Sequence, residues 1–214
     1  DLQSTVAAAV RARCFNGGQT CCAGKRFVVE RAIADEFIAE FVQQMASVNI
    51  GDPQDEETEL GALARPDLIE TLNQQVNRSV ELGARVLTGG QATGPGNCSY
   101  EPTVLIDVPA ESPAATEELF GPVAAVFVAE DREQALHLAN DTEFGLAASV
   151  WTRDLQAARW FSERLQCGAV FVNRVPGSDP RLPFGGVKSS GYGRELGAAG
   201  LRELVNVKAV WIDS

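Results

Sequence analysis

Apolar positions along this chain follow two periods, and the switches between them mark its elements. From Asp1 to Phe15, Val6, Ala7, Val10 and Cys14 fall at helical spacing, and from about Ala34 to Val48 the residues Phe37, Ile38, Phe41, Val42 and Met45 form one apolar stripe. Pro66 predicts a helix start, with the helix running through Leu82 and closing on Gly83. Two more helices are expected over Arg132 to Asn140 and Asp154 to Gln166. Short β-branched or alternating runs between them predict strands at Phe27 to Val29, Arg85 to Thr88, Thr103 to Ile106, Val123 to Val128, Ala147 to Trp151 and Ala169 to Val172. Gly51 to Glu59, Gly89 to Asn97 and Arg174 to Gly193 read as loops, and Val205 to Ile212 as an alternating, strand-like tail. Strands alternating with helices of this length require crossover connections, so the expected fold is α/β: a three-layer α/β/α domain around a mostly parallel sheet.

Composition narrows the picture mainly by exclusion. With 214 residues, 45% of them hydrophobic, the chain can bury one full-sized core. Its net charge of -11 comes with no basic block, which argues against nucleic acid and anionic membrane as partners. No run approaches the roughly 20 apolar residues of a membrane span. Five cysteines, with neither a secretory leader nor a C-x-x-C pair, fit a reducing cytoplasm better than a disulfide scaffold. The one histidine, His137, has no second imidazole or zinc-spaced cysteine near it in sequence, so no metal site is expected.

The candidate chemistry sits in Phe15-Asn16-Gly17-Gly18-Gln19-Thr20-Cys21-Cys22-Ala23-Gly24-Lys25-Arg26, a thiol pair in a glycine-rich turn between helix and strand. A thiol attacks as thiolate, and a turn that feeds N–H groups and cations toward sulfur lowers its pKa. The residues alone leave open a buried structural cysteine. Adjacent Cys22 is poorly placed for a normal disulfide with Cys21 and reads as a neighbour without a chemical role. Two further blocks are Glu117-Glu118-Leu119-Phe120-Gly121-Pro122-Val123 and Pro183-Phe184-Gly185-Gly186-Val187-Lys188-Ser189-Ser190-Gly191-Tyr192-Gly193-Arg194-Glu195. On spacing, Glu118 also suits a helix N-terminus, and Glu195 also suits a solvated or Arg-paired carboxylate.

In their order and separation these blocks resemble the catalytic half of the NAD(P)-dependent aldehyde dehydrogenases, across essentially the whole chain. The resemblance implies that Cys21, after the Gly18-Gln19-Thr20 step, is the nucleophile that forms a thiohemiacetal and then a thioester. It implies that Glu118 holds the nicotinamide ribose of NAD or NADP, that Phe120 backs the nicotinamide, and that Glu195 relays a proton near the thioester. The Cys21 backbone N–H is one oxyanion donor; the resemblance places the family's oxyanion Asn and general base before Asp1. The sequence holds no Gly-rich strand-to-helix phosphate cradle, so this chain by itself is expected not to oxidise aldehydes.

Further detail resembles bacterial succinate-semialdehyde dehydrogenases, including Gly51-Asp52-Pro53, Ala64-Arg65 and Ser178-Asp179. Ser178 matches a serine that seats the substrate's distal carboxylate. Phe15 replaces the arginine that precedes the motif Asn in better-known members, leaving Arg174, Arg181 or an upstream arginine to supply charge and opening the alternative of an apolar or aromatic aldehyde. A CoA-acylating dehydrogenase and a non-catalytic interaction module are the remaining alternatives. Residues 1–204 are expected to form the catalytic domain, and 205–214 a tail that pairs with a second copy in a homo-oligomer.

Overall fold

A computed structural model describes residues 1–214. The first half begins with α1 (Leu2–Cys14), β1 (Arg26–Glu30), α2 (Arg31–Ala46) and α3 (Pro66–Glu81), followed by β2 (Arg85–Thr88). A small hairpin, β3 (Ala92–Thr93) and β4 (Ser99–Tyr100), leads into β5 (Thr103–Ile106), α4 (Pro113–Thr116) and β6 (Val123–Ala129). Then come α5 (Arg132–Asn140), β7 (Phe144–Gly145), β8 (Ala147–Val150), α6 (Leu155–Arg164), β9 (Ala169–Val172), β10 (Val187–Lys188) and α7 (Gly197–Glu203).

The central sheet runs β1-β6-β5-β2; its first two pairings are parallel and β2 joins antiparallel. Side chains alternate across β6, which divides the core in two. Val123 and Ala125 pack with Leu105 against Ile69, Leu72 and Val76 of α3. Ala124 and Val126 pack with Val104 against Val6 of α1 and Phe37, Phe41 and Met45 of α2. Helices therefore cover both faces of a mostly parallel sheet, the three-layer arrangement that the alternating elements imply. β8 and β9 form a second, separate parallel pair. No helix is long and apolar enough to cross a membrane.

Leu72 is 1% exposed and also lies against Gly121, where an added Cβ would meet its Cδ2 at 2.3 Å. Leu72→Ala should cost about 3–5 kcal/mol through lost burial and the cavity left behind. A fall in the urea midpoint at unchanged m-value would show it.

The structure departs from the sequence expectation where elements are shortest. The supposed turn at Gly89 to Asn97 contains β3 and pairs with β4, and the long Gly/Pro-rich loop contributes β10, antiparallel to β7. Two-residue strands give no readable period. The tail from Val205 to Ile212 forms no strand within the chain and lies exposed, Val207 at 98% and Trp211 at 88%. Alternating residues make a strand only where a neighbouring edge accepts their hydrogen bonds.

Candidate active site

The thiol loop exists because α1 is stopped abruptly. Asn16, Gly17 and Gly18 take positive φ of 53°, 65° and 73° in succession, turning the chain back over the end of the helix. Asn and Gly are the residues that enter this left-handed region most readily. Gln19 then fastens the loop: its Nε2 donates to Asn16 O at 3.2 Å, and its Oε1 accepts from Ala64 N–H at 2.8 Å, tying the loop to the segment before α3.

Cys21 sits at the outer corner of the following turn, which is closed by Ala23 N–H donating to Thr20 O at 3.1 Å. Gly24 N–H donates to Ala12 O of α1 at 3.1 Å. Lys25 reaches back beneath the turn, its Nζ 3.1 Å from Thr20 O, 3.1 Å from Cys21 O and 3.4 Å from Ala23 O. The same ammonium pairs with Glu118 Oε1 at 3.0 Å. Burial pulls the Lys25 pKa down, and Glu118 acts against that shift.

These contacts correct one expectation. The Cys21 thiol is pushed above its ordinary value, first by partial loss of solvent and then by neighbouring Cys22, whose Sγ is 3.9 Å away. The Cys22 backbone N–H and Lys25 oppose the shift without overcoming it. The reason lies in where the cation points: Lys25 is hydrogen-bonded to carbonyls and neutralised by a carboxylate, so little of its field reaches the sulfur.

A second cation, Arg13, lies fully buried under the loop and has no carboxylate partner. Its Nη2 donates to Gly18 O at 2.7 Å and its Nη1 to Val123 O at 3.2 Å, while its Nε–H is left unpartnered. Arg13 thereby ties the thiol loop to the start of β6, just after the Glu118–Gly121 segment. Burial lowers its pKa to about 10, so it remains charged at neutral pH. That segment is also held from α3, where Gln75 Nε2 donates to Glu117 Oε2 at 2.9 Å and to Glu118 O at 3.3 Å.

Cys21, Cys22, Lys25, Glu117 and Glu118 line one cleft of about 940 Å³. Thr5, Ala8 and Ala12 of α1, β8, and Val175 and Pro176 of the long loop complete its walls. The structure thus brings Cys21 and Glu118 together. Phe120 is half-buried behind Glu118 in sequence and does not line the cleft. Phe15 and Ser178 are exposed outside its lining. Glu195 faces a separate groove with Arg194, Leu196 and Gly197 of the α7 region, its backbone bridged to Phe184 by two 2.8 Å hydrogen bonds. Of the loop arginines, Arg181 is already forked onto Asp179, its Nε 2.9 Å from Oδ1, and holds that carboxyl near pKa 2. Arg174 makes no ion pair. Sequence reasoning did not assign Arg13 or Lys25. The available signal for Arg13 was a charge seven residues after Val6, in phase with the buried stripe of α1.

The aldehyde dehydrogenase family profile matches residues 1–210. The chain belongs to the aldehyde dehydrogenase family. It is 49% identical over 213 residues to the succinate semialdehyde dehydrogenase [NAD(P)+] Sad of Escherichia coli (strain K12), covering 100% of this chain and 46% of that protein. To a probable succinate-semialdehyde dehydrogenase [NADP(+)] of Synechocystis sp. (strain ATCC 27184 / PCC 6803 / Kazusa) it is 45% identical, covering 99% of this chain and 47% of that one. The crystal structure of lactaldehyde dehydrogenase from Escherichia coli superposes with a TM-score of 0.95 at 34% identity, over 100% of this chain and 45% of that chain. The chain therefore spans about half the length of the curated relatives it matches. The agreement with a solved family member over the whole chain bears out the α/β aldehyde dehydrogenase fold.

Proposed function

We propose that this chain is the catalytic portion of an enzyme that oxidises an aldehyde, succinate semialdehyde by preference, to its carboxylic acid with NAD or NADP. The observation that carries the reading is the meeting, on one cleft, of the exposed Cys21 thiol and the Glu118 carboxylate through Lys25. The names of the two curated relatives support the substrate and cofactor classes.

Cys21 Sγ attacks the aldehyde carbon as thiolate, forming the C–S bond of a thiohemiacetal, and the Cys21 N–H, which has no partner in the chain, donates to the resulting oxyanion. Glu118 lines the cleft and fits a ribose diol in its chemistry: Oε1 is shared with Lys25 and Oε2 has no intramolecular partner. When bound, the nicotinamide cofactor supplies the hydride acceptor that converts the thiohemiacetal to a thioester. Phe120 backs the nicotinamide, and Glu195 relays a proton during thioester hydrolysis; for both, the support is the resemblance of their motifs. Val175 and Pro176 on the cleft wall support the long loop as the aldehyde entrance; for Ser178 and Phe15 as substrate contacts, the support is the resemblance of their motifs.

Residues 1–204 act as the catalytic unit. The exposed tail, 205–214, pairs with a second copy through strand hydrogen bonds that it does not make within the chain. Five free cysteines favour a reducing cytoplasm.

Arg181 is engaged by Asp179, so Arg174 is the guanidinium on this loop left to meet the substrate carboxylate. The second reading, an apolar or aromatic aldehyde, draws on the exposed ring of Phe15. Steady-state kcat/KM values for succinate semialdehyde and benzaldehyde separate the two. The full-length protein carrying this chain should favour succinate semialdehyde by at least about 10²-fold, since a site built to pair with a charged group rejects analogues that lack it. An advantage for benzaldehyde would refute the semialdehyde assignment.

A further inference from the structure

We propose that Lys25 is the positioning residue of the oxyanion donor: it orients and polarises the Cys21 backbone N–H by holding the peptide groups on both sides of Cys21. The inference rests on the reading of Cys21 as nucleophile.

The argument is one of peptide geometry. The Cys21 N–H belongs to the same planar unit as the Thr20 C=O, and in a trans peptide the two point in opposite directions. Fixing the carbonyl therefore fixes the direction of the N–H. Lys25 Nζ holds Thr20 O at 3.1 Å and the next carbonyl, Cys21 O, also at 3.1 Å, so both rotations that could swing the Cys21 amide are restrained by one ammonium. Ala23 N–H converges on the same Thr20 oxygen at 3.1 Å. An acceptor that takes two hydrogen bonds, one from a cation, withdraws density from its amide and makes the N–H on the far side a stronger donor.

Two further observations agree. The Cys21 N–H has no acceptor in the chain, as a donor reserved for an incoming oxygen should. Lys25 is itself anchored by Glu118 at 3.0 Å and is largely buried, its side chain 16% exposed, so its place under the turn is fixed. A lysine serving only as a surface ion pair would need none of the three carbonyl contacts.

The test separates attack that creates an oxyanion from attack that does not. p-Nitrophenyl acetate acylates a thiol through a tetrahedral oxyanion: the S–C bond forms and p-nitrophenolate leaves, with no cofactor needed. Iodoacetamide alkylates the same sulfur by displacing iodide, with no oxyanion. In the full-length protein carrying this chain, Lys25→Met should slow the p-nitrophenolate burst by about 10- to 100-fold, short of the roughly 10²–10³ lost when a donor is removed outright. Alkylation of Cys21, followed by mass spectrometry and compared at equal thiolate fraction from its pH curve, should stay within about 3-fold. Lys25→Arg should recover part of the burst. Parallel loss of burst and alkylation, or loss of neither, would overturn the proposal; should Lys25→Met fail to fold, Lys25→Gln carries the same comparison. A burst that survives in Cys21→Ser would instead refute the nucleophile itself.

Discussion

In the full-length protein carrying this chain, Cys21→Ala should abolish aldehyde oxidation, by roughly 10⁴- to 10⁶-fold in kcat, the range seen when a covalent nucleophile is deleted from an otherwise intact site. Cys22→Ala should retain activity within a few fold, because Cys22 contributes a neighbouring sulfur at 3.9 Å and no bond to substrate. The pair of variants tests the motif's choice of Cys21 over the adjacent thiol. The pH dependence is equally specific. Burial and Cys22 raise the Cys21 thiol above its ordinary value, so less of it is thiolate at pH 7 than in a free cysteine. Its alkylation by iodoacetamide in the absence of cofactor should therefore be slower than that of an unhindered thiol at neutral pH and rise through a midpoint above the ordinary one. Cys22→Ala should move that midpoint down, since it removes a neighbour that raises the pKa. Full oxidation activity in Cys21→Ala, followed as NAD(P)H formation, would remove the basis of the proposed mechanism.

What the sequence disclosed and what it hid follow one division. β2, β5, β9 and α5 lie at the residues the periodicity predicts. α2 begins at Arg31, three residues before the predicted start, because Arg31, Ala32 and Ile33 are exposed and lie outside the buried stripe that periodicity registers. Cys21 and Glu118 were legible through motif, and their meeting was not: it depends on Lys25, whose bonds go to carbonyls that any residue would present. Arg13 was hidden for the same reason, its partner oxygen on Val123 being 110 residues away and belonging to the backbone. Glu195 shows the converse. Its motif is readable, yet the fold turns it into the groove beside α7 and bonds its backbone to Phe184, a placement fixed by Leu196 at φ 64° and the close passage of Gly200. Motifs carry chemistry that depends on side-chain identity; contacts to main-chain oxygens leave little trace in the sequence.

That division makes Gly18 the most exacting position in the site. Its φ of 73° lies in the left-handed region, which costs a residue with a Cβ about 1–2 kcal/mol. The space is closed as well: an added Cβ would lie 2.3 Å from Gly121 O, 2.4 Å from Gly121 C and 2.8 Å from Arg13 Nη2. Two of those atoms are backbone and the third is a buried guanidinium bonded to Gly18 O, so no flexible side chain can swing aside. Forcing the two segments apart adds roughly 1–3 kcal/mol of overpacking. Gly18→Ala is thus expected to lose about 2–5 kcal/mol, a large share of the ~5–15 kcal/mol that holds a typical domain together. Because Gly18 and Gly121 are the contact point between the Cys21 loop and the Glu118 segment, the strain should also appear as altered Cys21 alkylation in the protein that remains folded. Gly177→Ala is the matched control: its φ lies outside the left-handed region, nothing lies within 4 Å of its added Cβ, and the change should stay within about 0.5 kcal/mol. Urea midpoints for the two variants decide the matter, and equal midpoints would show that the close approach of Gly18 to Gly121 does not hold the two halves of the site in register.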